Sequence, residues 1–364
     1  MFIKIFNTML KKIFIFIVPL MWYVSPQSFG QDPLSSLNYS ISPEFHPAFA
    51  GINEAYNFGF RLRKYSPVPD VEFSTMTVST DLPFYLQKNK FGLGVSVNQD
   101  KAGGLNTSTA STAIAYDAPL GGIITGHHLR SGLQFMLTHK SLDTKKLYFE
   151  DQYTPGGTFN NSTQDVLSNP DNDFNFDLNF GILYYKSNPP GKESRFLPYL
   201  GAVMRRVNFS EKKNFGEPGD ISSRYTIMTG GDWRISKSFS LKPGITYYYQ
   251  GTREMFSGDL GFEISLPAKE GSNPGALALG ASFRNEDATA FYIGLDYKNF
   301  KVAFASDYSL SEFNSGDFGA YEISVGFYID RKNPSVSSFE KSENESEAES
   351  SVDTDRILLP FPRF

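Results

Sequence analysis

From Tyr56 to Asp330 apolar and polar side chains alternate one for one, in runs of about ten residues broken by turn-forming sequence. Tyr56, Phe58, Phe60 and Leu62 interleave with Asn57, Gly59, Arg61 and Arg63, and Phe176, Leu178, Phe180 and Ile182 interleave with Asp177, Asn179 and Gly181. Fourteen such runs are read, near 55–64, 70–81, 90–100, 105–117, 129–140, 174–186, 195–208, 222–233, 237–250, 254–266, 275–285, 288–298, 299–309 and 319–330. No run of helical period with caps interrupts them. Each has the length a tilted strand needs to cross a bilayer, and the count is even, as a closed antiparallel barrel requires. The expected fold is an all-β transmembrane barrel of about 14 strands over residues 55–330.

A mean hydropathy of −0.30 does not oppose a membrane barrel. Half of a barrel's residues face a polar lumen and dilute the average. After residue 30 no apolar stretch is long enough for a spanning helix. If the first strand leaves the periplasm, the odd-numbered connections are extracellular and should be the longer ones. The fifth (about 141–173), the seventh (Phe209 to Ile221) and the thirteenth (Leu310 to Phe318) are long and polar, whereas Lys298-Asn299 is short. Leu82 to Asn89 and Pro119 to His128 are expected as longer periplasmic turns. A secreted sandwich or propeller is the soluble alternative, but the chain lacks the blade repeat of about 40–50 residues that a propeller carries.

The first thirty residues read as a secretory signal peptide: Lys11 and Lys12, the apolar stretch Ile13 to Val24, then Ser28-Phe29-Gly30 before Gln31. A membrane anchor is the other reading, and the brevity of the stretch and Pro19 count against it. Processing removes Lys4, Lys11 and Lys12 and takes the net charge from −5 to −8. That acidity argues against nucleic acid as a partner. With Cys 0 there is no disulfide framework, thiolate metal site or thiol nucleophile.

Between the signal peptide and the first strand lies a lead-in, residues 31–54. Pro43 and Pro47 bar a regular ladder, while Ala48, Ala50 and Gly51 around Phe49 allow close backbone approach. Two readings stand open: a periplasmic or lumenal segment packing Phe45 and Phe49 on the barrel's inside, or an ordinary ordered linker.

The lead-in also carries a resemblance. Tyr39-Ser40-Ile41-Ser42-Pro43-Glu44-Phe45-His46-Pro47-Ala48-Phe49-Ala50-Gly51 resembles the N-terminal signature of the PorP/SprF family, built around Asn-Pro-Ala-Phe-Ala-Gly, with His46 where the family usually has Asn. Asp81-Leu82-Pro83, Gly92-Leu93-Gly94-Val95 with Asp100 and Gly103, Gly181-Ile182-Leu183-Tyr184-Tyr185, Ser282-Phe283-Arg284, Ala305-Ser306-Asp307-Tyr308 and Gly319-Ala320-Tyr321-Glu322-Ile323 follow in family order. Pro47, Ala48, Phe49 and Gly51 are the most specific part. The resemblance implies a Gram-negative outer-membrane barrel of the type IX secretion and gliding apparatus. Such a barrel binds a secreted surface adhesin or other cargo and contacts periplasmic, peptidoglycan-associated lipoproteins. No catalysis and no cofactor are implied.

The residues offer little chemistry of their own. His127 and His128 are adjacent, point to opposite faces of a strand and do not converge on a metal; they are expected as solvated turn residues. Asp171-Asn172-Asp173-Phe174-Asn175-Phe176-Asp177 opens like a calcium loop but lacks the sixth-position Gly and the twelfth-position Glu. Ser131 and His139 are eight residues apart on one expected strand, about 26 Å, too far for a dyad. No nucleophile elbow, phosphate loop or metalloprotease motif is present.

Two segments suit binding. The loop from Ser141 to Asp173 offers Tyr148, Phe149 and Tyr153 beside Lys145 and Lys146, as a docking surface or as a lid folded into the lumen. After Asp330 the alternation stops: Ser335 to Asp355 carries a net −6 and reads as an extended linker within residues 331–364. It ends in Arg356-Ile357-Leu358-Leu359-Pro360-Phe361-Pro362-Arg363-Phe364, a linear recognition peptide or a frayed end. The expected location is the outer membrane, in contact with its lipid, with both termini periplasmic. The rival function is a porin or solute transporter.

Overall fold

The alternating runs become the wall of one closed antiparallel barrel. The structure, a computed structural model, describes residues 35–37, 42–68, 71–87, 89–121, 125–144, 152, 172–188, 193–207, 212–214, 217–219, 222–266, 275–285, 287–310 and 318–330. Its strands are β1 (Ala55–Val68), β2 (Val71–Leu86), β3 (Asn89–Ala102), β4 (Leu105–Leu120), β5 (His127–Leu142), β6 (Asp173–Lys186) and β7 (Phe196–Arg205). A two-stranded hairpin follows, β8 (Lys212–Asn214) with β9 (Glu217–Gly219). Then come β10 (Arg224–Arg234), β11 (Phe239–Gln250), β12 (Arg253–Ser265), β13 (Ala276–Arg284), β14 (Ala288–Tyr297), β15 (Phe300–Ser309) and β16 (Phe318–Asp330).

Fourteen of these close the ring in sequence order, β7 pairing directly with β10 and β16 returning to β1. Each expected run holds one of them. Several run further than the pattern suggested. β2 continues through Pro83 to Leu86, so the connection to β3 is two residues rather than the turn expected from Leu82 to Asn89. Pro83 is tolerated there because the β1 ladder has ended at Asn57↔Asp81. Likewise β4 reaches Leu120 and β5 begins at His127, shortening the expected turn from Pro119 to His128.

The wall is apolar outside and polar inside, the reverse of a soluble core and the arrangement a lipid solvent demands. Phe58, Val97, Leu137, Phe176, Leu200, Ile227 and Phe291 are exposed on the outer face, while Thr77, Gln134, Asn179, Thr226, Thr246 and Glu322 on the inner face are buried. The acidic and amide run from Asp173 belongs to this pattern: Asp173, Asn175 and Asp177 are buried inside β6, and Phe174 and Phe176 point out.

The two mouths differ. β1 begins and β16 ends at one, together with the short connections 87–88, 235–238 and 298–299; this is the turn mouth. At the other, the loop mouth, the connections 143–172 and 206–223 join β5 to β6 and β7 to β10.

Candidate functional site: a lumenal segment held at both mouths

The chain just ahead of β1 lies within the barrel, against its inner wall. Two short helical pieces shape it, neither expected from the sequence: α1 (Ser42–Phe45) and a 3-10 turn (Pro47–Phe49). Their signals were present, since proline with its fixed φ suits a first helical position and Glu44 suits a first turn. His46 caps the 3-10 turn, its Nδ1 accepting the Ala48 N–H at 3.1 Å. Asn, the residue usual at this place in the resembling family, is among the best capping residues, so His46 fills the same role with a ring. Burial, with the cationic Arg205 and Arg130 nearby, lowers the His46 pKa to about 3, against the smaller opposing pull of the Ile182 backbone carbonyl on the ring N–H. The ring is therefore neutral at ordinary pH.

The wall meets the segment with glycine. A Cβ on Gly92 of β3 would stand 1.8 Å from the Ala50 carbonyl oxygen, and one on Gly132 of β5 would stand 2.5 Å from the Ala48 nitrogen. A Cβ on Gly94 would press on Pro43, one on Gly181 on His46 and Pro47, and one on Gly201 on His46. These inward glycines make a groove whose floor is backbone, and Pro47 to Gly51 fill it. Gly51 itself turns through a left-handed φ of +56°, and a Cβ there would lie 2.3 Å from the Leu82 carbonyl oxygen. Phe49, 2% exposed, packs with Leu183, Tyr199 and Met228, and stacks on Phe45 at 6.3 Å between centroids.

Polar side chains close over the groove. Arg130, wholly buried, donates from Nε to the Ala48 carbonyl at 2.8 Å and from Nη2 to the Ala50 carbonyl at 2.6 Å, while Nη1 meets Asp117 at 2.9 Å. Asp117 also accepts from Tyr185 at 3.0 Å and pairs with His128 at 2.9 Å. His127 and His128 thus open β5 with partners on opposite faces, rather than sitting in a solvated turn; His127 bonds Tyr184 at 2.7 Å. Asp81 accepts the Gly51 N–H at 3.0 Å, and Lys90 donates to the Ile52 carbonyl at 2.9 Å. Glu44 pairs with Arg61 at 2.8 Å, and its carbonyl accepts from Arg205 at 2.5 Å.

A second station lies across the lumen at the loop mouth. Glu322 of β16 accepts from the Ser35 hydroxyl at 2.6 Å and from the backbone N–H of Ser36 and Leu37 at 2.7 and 3.2 Å. Asp307 of β15 accepts the Ser36 hydroxyl at 2.6 Å, and Arg284 of β13 donates to the same oxygen at 2.8 Å. Arg63 bridges Glu322 and Asp307, and Arg284 meets Asp307 at 2.8 Å. Leu37, 1% exposed, fits among Tyr292, Ala303 and Ala305.

Of the expected site residues, Pro47, Ala48, Phe49 and Gly51 are brought together at the β3–β7 wall. Tyr148, Phe149 and Tyr153 of the long loop, and Arg356, Ile357, Leu358, Leu359, Phe361 and Phe364 of the tail, lie outside the described residues. Sequence reasoning missed Arg130, Asp117, Glu322, Asp307 and the glycine groove. Arg130-Ser131-Gly132 was legible as inward charge and inward glycine at even spacing, but their common partner was not.

Three solved barrels align with this chain. The toluene transporter TodX of Pseudomonas putida aligns with TM-score 0.44 at 10% identity over 81% of this chain and 92% of that one. The NanC porin aligns with TM-score 0.37 at 7% identity over 76% and 100%. BamA of Haemophilus ducreyi aligns with TM-score 0.40 at 10% identity over 76% and 70%. No curated protein matches the sequence. The family described as Type IX secretion system membrane protein PorP/SprF matches residues 27–327, most of the chain, and the protein belongs to that family of outer-membrane barrels.

Proposed function

We propose that this barrel works by holding partners rather than by conducting solute. It binds or anchors a secreted surface adhesin or other type IX cargo at the loop mouth and contacts periplasmic machinery at the turn mouth. The observation that carries this reading is the occupied lumen: a porin's passage must be clear, whereas here the lead-in fills a groove built for it and ties opposite walls together. An outer face of exposed Phe, Leu, Ile and Val provides the contact with outer-membrane lipid. The long connection 143–172, with Tyr148, Phe149 and Tyr153, is the cargo-docking surface on this reading. The C-terminal peptide Arg356 to Phe364, which follows β16 in the sequence, is on this reading the contact for a periplasmic or peptidoglycan-associated lipoprotein.

A pull-down in mild detergent tests it, comparing the full chain with a version ending at Asp330. A large secreted protein is expected with both versions, and a periplasmic lipoprotein with the full chain alone. Two versions that purify without partners and conduct solute in a planar bilayer would replace this reading with the porin or transporter.

A further inference from the structure

The two stations fix a direction of travel. At the turn mouth, Gly51 lies against Leu82 and Gly92, and Ile52 is held by Lys90, the second residue of β3. At the loop mouth, Ser36 is held by Arg284, the last residue of β13, and by Asp307, two positions before the end of β15. Glu322, which receives Ser35, pairs in register with Arg63, eight positions beyond Ala55. At a rise of about 3.3 Å per residue, that is roughly 26 Å along the strand from the mouth where β1 begins.

We infer that the lead-in is threaded through the whole barrel from the loop mouth to the turn mouth, and that Glu322, Asp307 and Arg284 form a peptide site that reads an extended hydroxyl-bearing segment, filled in cis by Ser35–Leu37. The site has the chemistry for that ligand. Two buried carboxylates accept two backbone N–H groups and two serine hydroxyls, Arg63 and Arg284 neutralise them, and an apolar hollow takes the leucine that follows. Charge-assisted bonds of this kind inside a wall of low dielectric fix register as well as position.

The consequence concerns sidedness. Ser35, the first described residue of the lead-in, therefore lies toward the loop mouth, opposite the end of β16. On this inference the lead-in enters from the side opposite the end of β16, against the expectation that both termini are periplasmic. The inference rests on the geometry of the lumen and stands or falls apart from the identity of any cargo.

The absence of native cysteine makes the test clean. Single cysteines at Leu34→Cys, at Thr252→Cys in the loop-mouth turn and at Lys237→Cys in the turn-mouth connection are labelled in intact cells with a membrane-impermeant maleimide, then again after the outer membrane is opened. Each variant is first checked for the heat-modifiable gel mobility of a folded barrel. Position 34 is expected to label with position 252. Labelling with position 237 instead would overturn the inference. If position 34 is shielded in both states, a short epitope inserted after Gln31 decides. Antibody access from the side of Thr252 supports the threading, and access from the side of Lys237, or from neither, overturns it.

Discussion

At the residue scale the site depends on side chains doing what backbone cannot. Arg130 satisfies two carbonyls of a segment too irregular for a ladder, and its charge is balanced by Asp117. Replacing it with Met leaves a buried carboxylate and two carbonyls without their donor. The expected loss is about 3–5 kcal/mol of stability in denaturant unfolding of the detergent-solubilised barrel. Arg130→Lys should recover only part of it, because an ammonium cannot span both carbonyls and the carboxylate as a fork does. His46 gives a prediction in pH. Released into water its ring titrates near 6.5, and docked it stays neutral down to about 3. The released form therefore gains a proton first, and docking weakens as pH falls below 6.5, by about tenfold per unit. His46→Asn keeps the cap and removes that proton. The variant's unfolding midpoint should gain on the parent's progressively between pH 6.5 and pH 4, and a difference constant with pH would refute the assignment.

At the element scale the inward glycines of β3, β5, β6 and β7 set the depth of the groove. Adding one methyl at Gly92 forces the strand and the Ala50 carbonyl apart, an overpacking that typically costs about 1–3 kcal/mol. The same change at Gly103, which faces open space, tests only the strain of its φ of +60°. Gly92→Ala should expose the 42–52 segment to hydrogen exchange while leaving the strands protected; an unchanged exchange pattern would show that the groove does not hold the segment. The strands themselves were legible because a period of two is a local property. Their ends were less so: Leu82-Pro83 reads as a turn until one sees that β1 has already stopped. The lumenal packing was the least legible: Gly132 and Gly181 pair across β5 and β6, but Pro47 meets them only because the lead-in folds back into the lumen. The alternation places them on the inner face without saying what they face.

At the scale of the whole molecule the design is a polar-lined barrel whose own N-terminal segment crosses the lumen, in a chain of net charge −5. Its family membership gives it a place in type IX secretion, and the proposal that it holds partners rather than conducts rests on the occupied lumen. The most direct measurement is conductance in planar bilayers, with the full barrel compared against one lacking residues 35–50 whose fold is verified by its heat-modifiable mobility. The full barrel should be silent, and deletion should open a steady conductance. A full barrel that conducts as strongly as the deletion variant would contradict the account.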